Sequence, residues 1–158
     1  HIKKIKTEYV KSKHPILPVI KETVAGLSTH QQLLYKTIDI IPEGDSLDAV
    51  FNPLDIQRVL QNLIINAGYV TEDKGKISVR VIRNKGFLRV SIIDKGSGIP
   101  EDVQGYLFKD TLTTKKDGNG LGLLSCKGII EENHQGKLWF ETESGKGTTF
   151  HFTLPAPL

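Results

Sequence analysis

The sequence contains few residues that could form covalent cross-links or clustered metal sites. It contains one cysteine, Cys126, which excludes an internal disulfide or a multi-cysteine zinc site and fits a reducing compartment. It contains no methionine, so His1 is not a translation start and we expect the chain to be part of a longer protein. Cys126 lies near Leu123 and Ile129 in a predicted helix, and we therefore expect a buried side chain rather than a reactive thiol.

Long hydrophobic segments are also missing. No apolar run approaches the roughly 20 residues that a helix needs to cross a bilayer, and no segment resembles a signal peptide. We therefore expect no membrane contact by this segment and a cytoplasmic location. Any membrane anchor would belong to another part of the parent protein.

Positive charge is concentrated at the start of the chain. The net charge is +3, and five lysines precede residue 14: Lys3, Lys4, Lys6, Lys11 and Lys13. Such a cluster is typical either of a nucleic-acid-binding patch or of a solvated linker. Because Tyr9 is the only aromatic residue among these lysines, we expect residues 1–14 to be a basic linker or the stub of an upstream domain. We expect no nucleic-acid partner.

The remaining residues, 15–158, have the composition and length of one globular domain. Periodicity and turn signals predict helices over 15–33, 52–67 and 121–133, strands over 37–41 and 47–51, hairpins over 76–93 and 137–154, and a long polar loop over 94–119. This order predicts an α/β (α+β) fold, a two-layer sandwich with helices packed on one face of a mixed sheet.

Two asparagines in the second predicted helix are candidate metal and phosphate ligands. Asn62 and Asn66 are four residues apart and share one helical face. An amide oxygen suits Mg²⁺, which takes few protein ligands and completes its octahedron with phosphate and water. Alternatively, these side chains cap or bridge neighbouring backbone. The glycine-rich segments that follow favour the metal-binding interpretation.

The first of these segments is Asp94-Lys-Gly-Ser-Gly-Ile-Pro100, at the end of a predicted strand. A carboxylate at Asp94 can accept a hydrogen bond from adenine N6, where guanine offers a carbonyl. Gly96 and Gly98 allow a backbone to approach a ligand closely. An ordinary Asp–Gly turn is the alternative interpretation.

The second segment is Gly118-Asn-Gly-Leu-Gly-Leu123, which opens directly into a predicted helix. Backbone amides and the positive end of the dipole favour anions there, although glycines also precede helices for turn geometry alone. The polar loop before it is long enough to be a lid. Neither a P-loop nor a Rossmann glycine pattern is present. Together the segments indicate a nucleotide-binding site in which separate groups of residues contact the base, the metal ion and the phosphates.

These motifs resemble the catalytic ATP-binding domain of sensor histidine kinases, within the superfamily shared with gyrase, Hsp90 and MutL proteins. The motifs stand in family order: an Asn box at 57–67, a first glycine box at 94–100, a Phe box running into Thr-Thr-Lys at 107–115, and a second glycine box at 118–123. The segment 145–155 matches the closing hairpin of the family. The resemblance covers residues 50–155, and all boxes in register make it specific.

The resemblance implies the two-layer α/β sandwich of this superfamily, with ATP and Mg²⁺ between the Asn-box helix and the lid. The implied catalytic residues are Asn66, which would bind Mg²⁺, Asn62 near the phosphates, and Lys115 at the terminal phosphates. ATP contacts are implied at Asn66, Asp94, Gly96, Gly98, Ile99, Lys115, Gly118, Gly120, Leu121, Gly122 and Thr149, with Thr148 as the alternative to Thr149.

The resemblance also implies a function in two-component signalling. The chain would transfer the γ-phosphate of ATP to a histidine on a separate dimerisation domain, and a response regulator would be a further partner. We expect that phosphoacceptor domain outside this segment, and therefore little activity from the segment alone.

Two positions depart from the family pattern and leave alternatives open. Tyr69 stands where the Asn box usually carries a lysine, and Thr111 stands at the second phenylalanine of the Phe box. A degenerate nucleotide-binding or protein-interaction module without phosphotransfer is one alternative. A serine kinase of the same superfamily, such as an anti-sigma factor, is another, but the Thr-Thr-Lys segment and the Trp139 hairpin favour the sensor kinase.

Overall fold

The computed structural model describes residues 9–108 and 122–157. Within these residues the largest sheet has five strands: β2 (Thr37–Glu43), β4 (Lys76–Asn84), β5 (Phe87–Asp94), β6 (Leu138–Glu143) and β7 (Gly147–Pro155). Their order across the sheet is β2-β4-β5-β7-β6. The β2–β4 pair is parallel and the other pairs are antiparallel, so the predicted mixed sheet is confirmed.

A second, two-stranded sheet joins the start of the chain to its middle. β1 (Ser12–Pro15) pairs antiparallel with β3 (Asp48–Phe51). Sequence patterning does not predict β1, because Ser-Lys-His-Pro has no apolar alternation and gains its order from a partner more than 30 residues away. Residues 12–14 therefore belong to the folded unit, while the linker character of residues 1–8 stays a prediction.

Three helical segments pack on one face of the large sheet: α1 (Ile16–Gly26), α2 (Pro53–Val70) and α4 (Leu123–Lys127). A short helix, α3 (Glu101–Gln104), follows the first glycine segment, and α4 continues as a π-helical turn over Gly128–Asn133. None of the helices in the described residues is long and apolar enough to cross a membrane.

The ends of the helices follow from local chemistry. Asn52 caps α2, since its Oδ1 accepts from the Asp55 amide at 3.2 Å, and Pro53 occupies the first turn as predicted. α1 ends earlier than predicted, at Gly26, and single turns carry the chain to Lys36. Glycine and the Ser28–Thr29 pair that follows are weak helix formers, which explains the early end.

Side chains along each strand point alternately to the two faces of the sheet, and this determines which residues form the core. Inward residues of β4, β5 and β7 are fully or almost fully buried in the core that also contains the apolar face of α2, whereas Arg80 and Arg89 lie on the opposite face of the sheet. The inward set comprises Ile77, Val79, Val81, Leu88, Val90, Ile92, Phe150, Phe152 and Leu154, and it shares one core with Ile56, Val59, Leu60, Leu63 and Ile64 of the helix. This alternation also brings Asp94, the last residue of β5, onto the helix-covered face of the sheet.

Candidate nucleotide-binding site

Asp94 ends β5 directly beside Thr148 at the start of β7. Only 6% of Asp94 is exposed. The amides of Gly96 and Thr148 donate to Oδ1 at 2.9 and 3.2 Å. Both bonds end on the same oxygen, so the carboxylate is oriented without a ligand. Among the described residues, no hydrogen bond to Oδ2 is found, and this oxygen is suited to accept from a bound base.

Burial raises the pKa of the Asp94 carboxyl, while the two backbone N–H bonds from Gly96 and Thr148 act in the opposite direction. A buried carboxylate with few charged neighbours is a strong acceptor, because a low dielectric strengthens each hydrogen bond that it makes. These are the properties that selective recognition of an exocyclic amine requires.

The loop after Asp94 packs tightly against the end of α2 and against the β6–β7 turn. A Cβ on Gly96 would lie 2.6 Å from the Val70 carbonyl oxygen, and a Cβ on Gly98 would lie 2.7 Å from the Glu143 oxygen. Gly98 also has a φ of +85°, which favours glycine. Both glycines are therefore needed for contact with the protein's own backbone, and their approach to a base stays a prediction.

A pair of threonines closes the other side of Asp94. Thr142 and Thr148 face each other across β6 and β7, with their hydroxyl oxygens 2.8 Å apart. The Ile99 amide donates to Thr142 Oγ1 at 2.9 Å, which ties the glycine loop to β6. The predicted contact residue Ile99 is thus fixed through its backbone next to the threonine pair.

The first of the two asparagines connects α2 to α4. Asn62 is 6% exposed, and its Nδ2 donates to Cys126 Sγ at 3.3 Å. The prediction that Cys126 is buried is confirmed, and burial raises the pKa of its thiol to about 12. Asn66 lies one turn further along α2 and is half-buried. Val70, the last residue of this helix, is packed against Gly96.

The chain matches, over residues 51–158, the family model described as Histidine kinase-, DNA gyrase B-, and HSP90-like ATPase. It belongs to this ATPase family. The adaptive-response sensory kinase SasA of Synechococcus elongatus is 33% identical over 145 residues, covering 87% of this chain and 37% of SasA. Sporulation kinase E of Bacillus subtilis is 34% identical over 144 residues, covering 89% of this chain and 19% of the kinase. The chain thus spans well under half the length of these relatives.

Solved structures agree with the family. The catalytic domain of histidine kinase ThkA superposes with a TM-score of 0.82 at 29% identity, covering 93% of this chain and 96% of that domain. ThkA in complex with the response regulator protein TrrA matches with a TM-score of 0.77 at 28% identity, over 92% of this chain and 41% of that one. The predicted family and fold are confirmed: the chain is a catalytic ATPase domain of the histidine kinase type.

Several predicted contacts of the ATPase family lie outside the described residues. These are Lys115, Gly118, Gly120 and Leu121, together with the departure at Thr111. Gly122 is described: it precedes α4, and its carbonyl accepts from the Cys126 amide at 3.1 Å. The roles predicted for these positions stay predictions.

Thr148, rather than Thr149, is the threonine that lies beside Asp94, and a contact of either with a base stays a prediction. The Thr148 amide donates to Asp94, whereas Thr149 pairs with Ile93 and its side chain alternates to the opposite face of the sheet. The sequence alone does not distinguish the two residues, because a shift of one residue in register changes which of them lies beside Asp94.

Lys36 is a residue near the site that sequence reasoning missed. Its Nζ donates to the Gln32 and Gly68 carbonyls at 2.8 and 2.6 Å, so a cation caps the end of α2 that carries Asn66. Tyr69, in the position of the usual lysine, is half-buried beside this cap. The signal in the sequence is only a lysine just before a strand, and it does not predict a helix cap more than 30 residues away.

Proposed function

We propose that this domain binds ATP with Mg²⁺ and transfers the γ-phosphate to a histidine of a separate phosphoacceptor domain in the same parent protein. The observation that carries the proposal is the buried, pre-oriented carboxylate of Asp94, which has Oδ2 for a base amine. Membership in the ATPase family and likeness to histidine kinases support the phosphoryl-transfer chemistry.

The residues of this chain act mainly by positioning the substrate. Phosphoryl transfer needs an aligned nucleotide and neutralised charge rather than covalent chemistry by the protein. Asp94 would hold the base edge, with Gly96 and Gly98 setting the loop. Asn62 and Asn66 would face the phosphate end, and Lys115 would meet the terminal phosphates.

Mg²⁺ fits this arrangement. Within the described residues there is no group of three or more His, Cys, Asp or Glu side chains that could hold a metal. A single amide oxygen from Asn66, with phosphate oxygens and water, matches the way that Mg²⁺ is commonly bound. When bound, the ion neutralises charge on the phosphates.

A response regulator is the proposed partner downstream of the phosphoacceptor histidine, because ThkA, a relative in structure, is seen in complex with one. A cytoplasmic location is part of the same proposal, since ATP is the substrate and Cys126 is a free thiol.

The test is a phosphotransfer assay on the domain joined to its native upstream domain, with γ-labelled ATP and Mg²⁺. We expect acid-labile label on an upstream histidine, lost when Mg²⁺ is removed or Asn66 is replaced by Ala. Arg58→Ala is the matched control on α2, because that side chain is largely exposed and its ion pair is with Asp55, one turn away on the same helix. This variant should transfer phosphate normally.

Tyr69 in place of the usual lysine favours a second candidate, a binding module without transfer. ATP binding without labelled histidine would support that module, and label on serine would support an anti-sigma-type kinase. Either result would contradict the proposed phosphotransfer to histidine.

A further inference from the structure

Two side chains from outside α2 cap the carbonyls of its last turn. The Thr71 hydroxyl donates to the Ala67 carbonyl at 2.7 Å. Lys36 Nζ donates to the Gly68 carbonyl at 2.6 Å and to the Gln32 carbonyl, in its own segment, at 2.8 Å. The two caps bond neighbouring carbonyls at the same end of the helix, but only the lysine brings a charge to it.

Tight packing holds the segment that carries Lys36 against this turn. A Cβ on Gly68 would lie 2.8 Å from Leu33 Cδ2 and 2.9 Å from the Gln32 carbonyl oxygen, so no side chain fits between them. Leu33 is buried and belongs to the core. Gly68 follows Asn66 by two positions, which is about 200° around the helix, so Lys36 approaches α2 from the side away from Asn66. The protein itself therefore fixes the position of this ammonium group.

This charge matters because of where the proposed phosphates would lie. The C-terminal end of a helix carries a partial negative charge, equivalent to roughly half an elementary charge. Asn66 immediately precedes the last turn of α2, so a triphosphate held by Asn66 would lie near this negative end. The last turn itself contains no basic residue, and Tyr69 stands where the Asn box usually carries a lysine. Lys36 supplies a cation to this helix end from another segment of the chain.

We infer that Lys36 is a positioning residue of the nucleotide site: it offsets the negative end of α2 and thereby favours the β- and γ-phosphates beside Asn66, without contacting the ligand. This inference deepens the proposed function and rests on it. Within the part of the chain that the structure describes, no carboxylate forms an ion pair with Lys36, so no side chain offsets its charge. The effect should act on the phosphates near the helix end and leave contacts with the base unchanged.

The test compares a non-hydrolysable ATP analogue, with Mg²⁺, against AMP, which lacks the β- and γ-phosphates. Competition with a fluorescent nucleotide measures both dissociation constants. In Lys36→Met we expect the ATP analogue to bind about fivefold more weakly and AMP less than about twofold more weakly, since a cation at a helix C-terminus has an effect of this order. Lys36→Arg keeps the charge and should restore the wild-type ratio of the two constants.

Thr71→Val is the matched control, because it removes the neutral cap on Ala67 at the same helix end. It should lower the melting temperature and leave the ratio of the two constants unchanged. Lys36→Gln provides a second route if Lys36→Met does not fold. Its amide can still donate to the carbonyls but carries no charge, so the ratio should change about fivefold in this variant as well.

A purely structural role for Lys36 would weaken both ligands equally, and that result would overturn the inference. The same change of ratio in Thr71→Val would overturn it too, because that variant keeps the charge. A wild-type ratio in Lys36→Gln, with the ATP analogue still bound, would overturn the inference alone. Failure of the wild-type domain to bind the ATP analogue would overturn the proposed function with it.

Discussion

Asp94 is subject to two opposing demands. Burial raises the pKa of its carboxyl, so the folded state holds the proton more tightly than the unfolded chain does. Ionisation at neutral pH therefore costs folding free energy, and this cost is relieved as the pH falls through the raised pKa. Recognition of an amine requires the ionised carboxylate. The form of Asp94 that would bind the base is therefore the one that lowers the free energy of unfolding.

Asp94→Asn should separate these two demands. The amide oxygen can still accept from Gly96 and Thr148, but the Nδ2 group would face the base amine as a donor. We expect an unchanged or higher melting temperature and an ATP affinity lower by about tenfold to a hundredfold, measured by thermal melting and isothermal titration.

Asp39→Asn is the control for that experiment. Asp39 forms a surface ion pair with Lys76 at 3.3 Å, and its loss should leave both quantities nearly unchanged. A variant at Asp94 that melted much earlier yet bound ATP normally would contradict the role given to this carboxylate.

The loop after β5 is held in place by its glycines. Gly98→Ala would combine a strained φ of +85° with a Cβ 2.7 Å from the Glu143 oxygen. Gly86→Ala is a matched control, because its φ is +81° but no atom lies within 4 Å of the added Cβ. Gly86→Ala should lower the free energy of unfolding by about 1 kcal/mol and leave nucleotide affinity unchanged.

Gly98→Ala should lower the free energy of unfolding further and also weaken ATP binding, because the loop that fixes Asp94 and Ile99 must move. Chemical denaturation and titration of the two variants measure these effects. Equal losses of stability in the two variants, with ATP binding retained in both, would show that the close packing at Gly98 is unimportant.

His134 joins the start of α2 to the π-helical turn. Its Nδ1 donates to the Ile129 carbonyl at 2.8 Å and its Nε2 accepts from the Asn52 amide at 3.0 Å, an arrangement that needs the neutral ring. Burial lowers the pKa of His134, so protonation costs folding free energy. The stability that the neutral His134 ring contributes is fully present above its unfolded-state pKa of about 6.5. It is lost as the pH falls through the lower pKa of the folded state.

The contribution of His134 to the free energy of unfolding should therefore decrease between pH 7 and pH 5. His134→Gln should be less stable at pH 7 and should lose less stability than the wild type over this range. Urea denaturation at several pH values measures this. Burial also lowers the pKa of His151, so part of the slope should remain in the variant. Identical slopes in the variant and the wild type would exclude His134 as the titrating group.

Elements with local signals could be predicted from the sequence, and elements that depend on distant partners could not. The cap at Asn52 and the hairpins are encoded within a few residues, which is why α2 and β4–β7 agree with prediction. β1 and the π-helical turn depend on contacts with remote segments. At the site, the Asp94 motif is visible in the sequence, whereas the bond from Ile99 to Thr142 depends on how the loop folds back onto β6.

Across the whole molecule, Asn66 and the start of the described chain lie towards opposite ends of α2. Tyr9 donates to Asp55, and the Val10 carbonyl accepts from Asn52, so the start of the described chain is tied to the N-terminal end of the helix. Asn66 lies near the other end of this 18-residue helix, which is about 27 Å long. Tyr9 and Val10 are thus anchored to the same helix that carries Asn62 and Asn66.

The most direct test of the account is calorimetric titration of the wild-type domain with non-hydrolysable ATP and GTP analogues in the presence of Mg²⁺. We expect one saturable site, with the ATP analogue binding at least about tenfold more tightly, because the guanine carbonyl would face Asp94. Absence of binding at millimolar ATP analogue, or equal affinity for the two analogues, would contradict it.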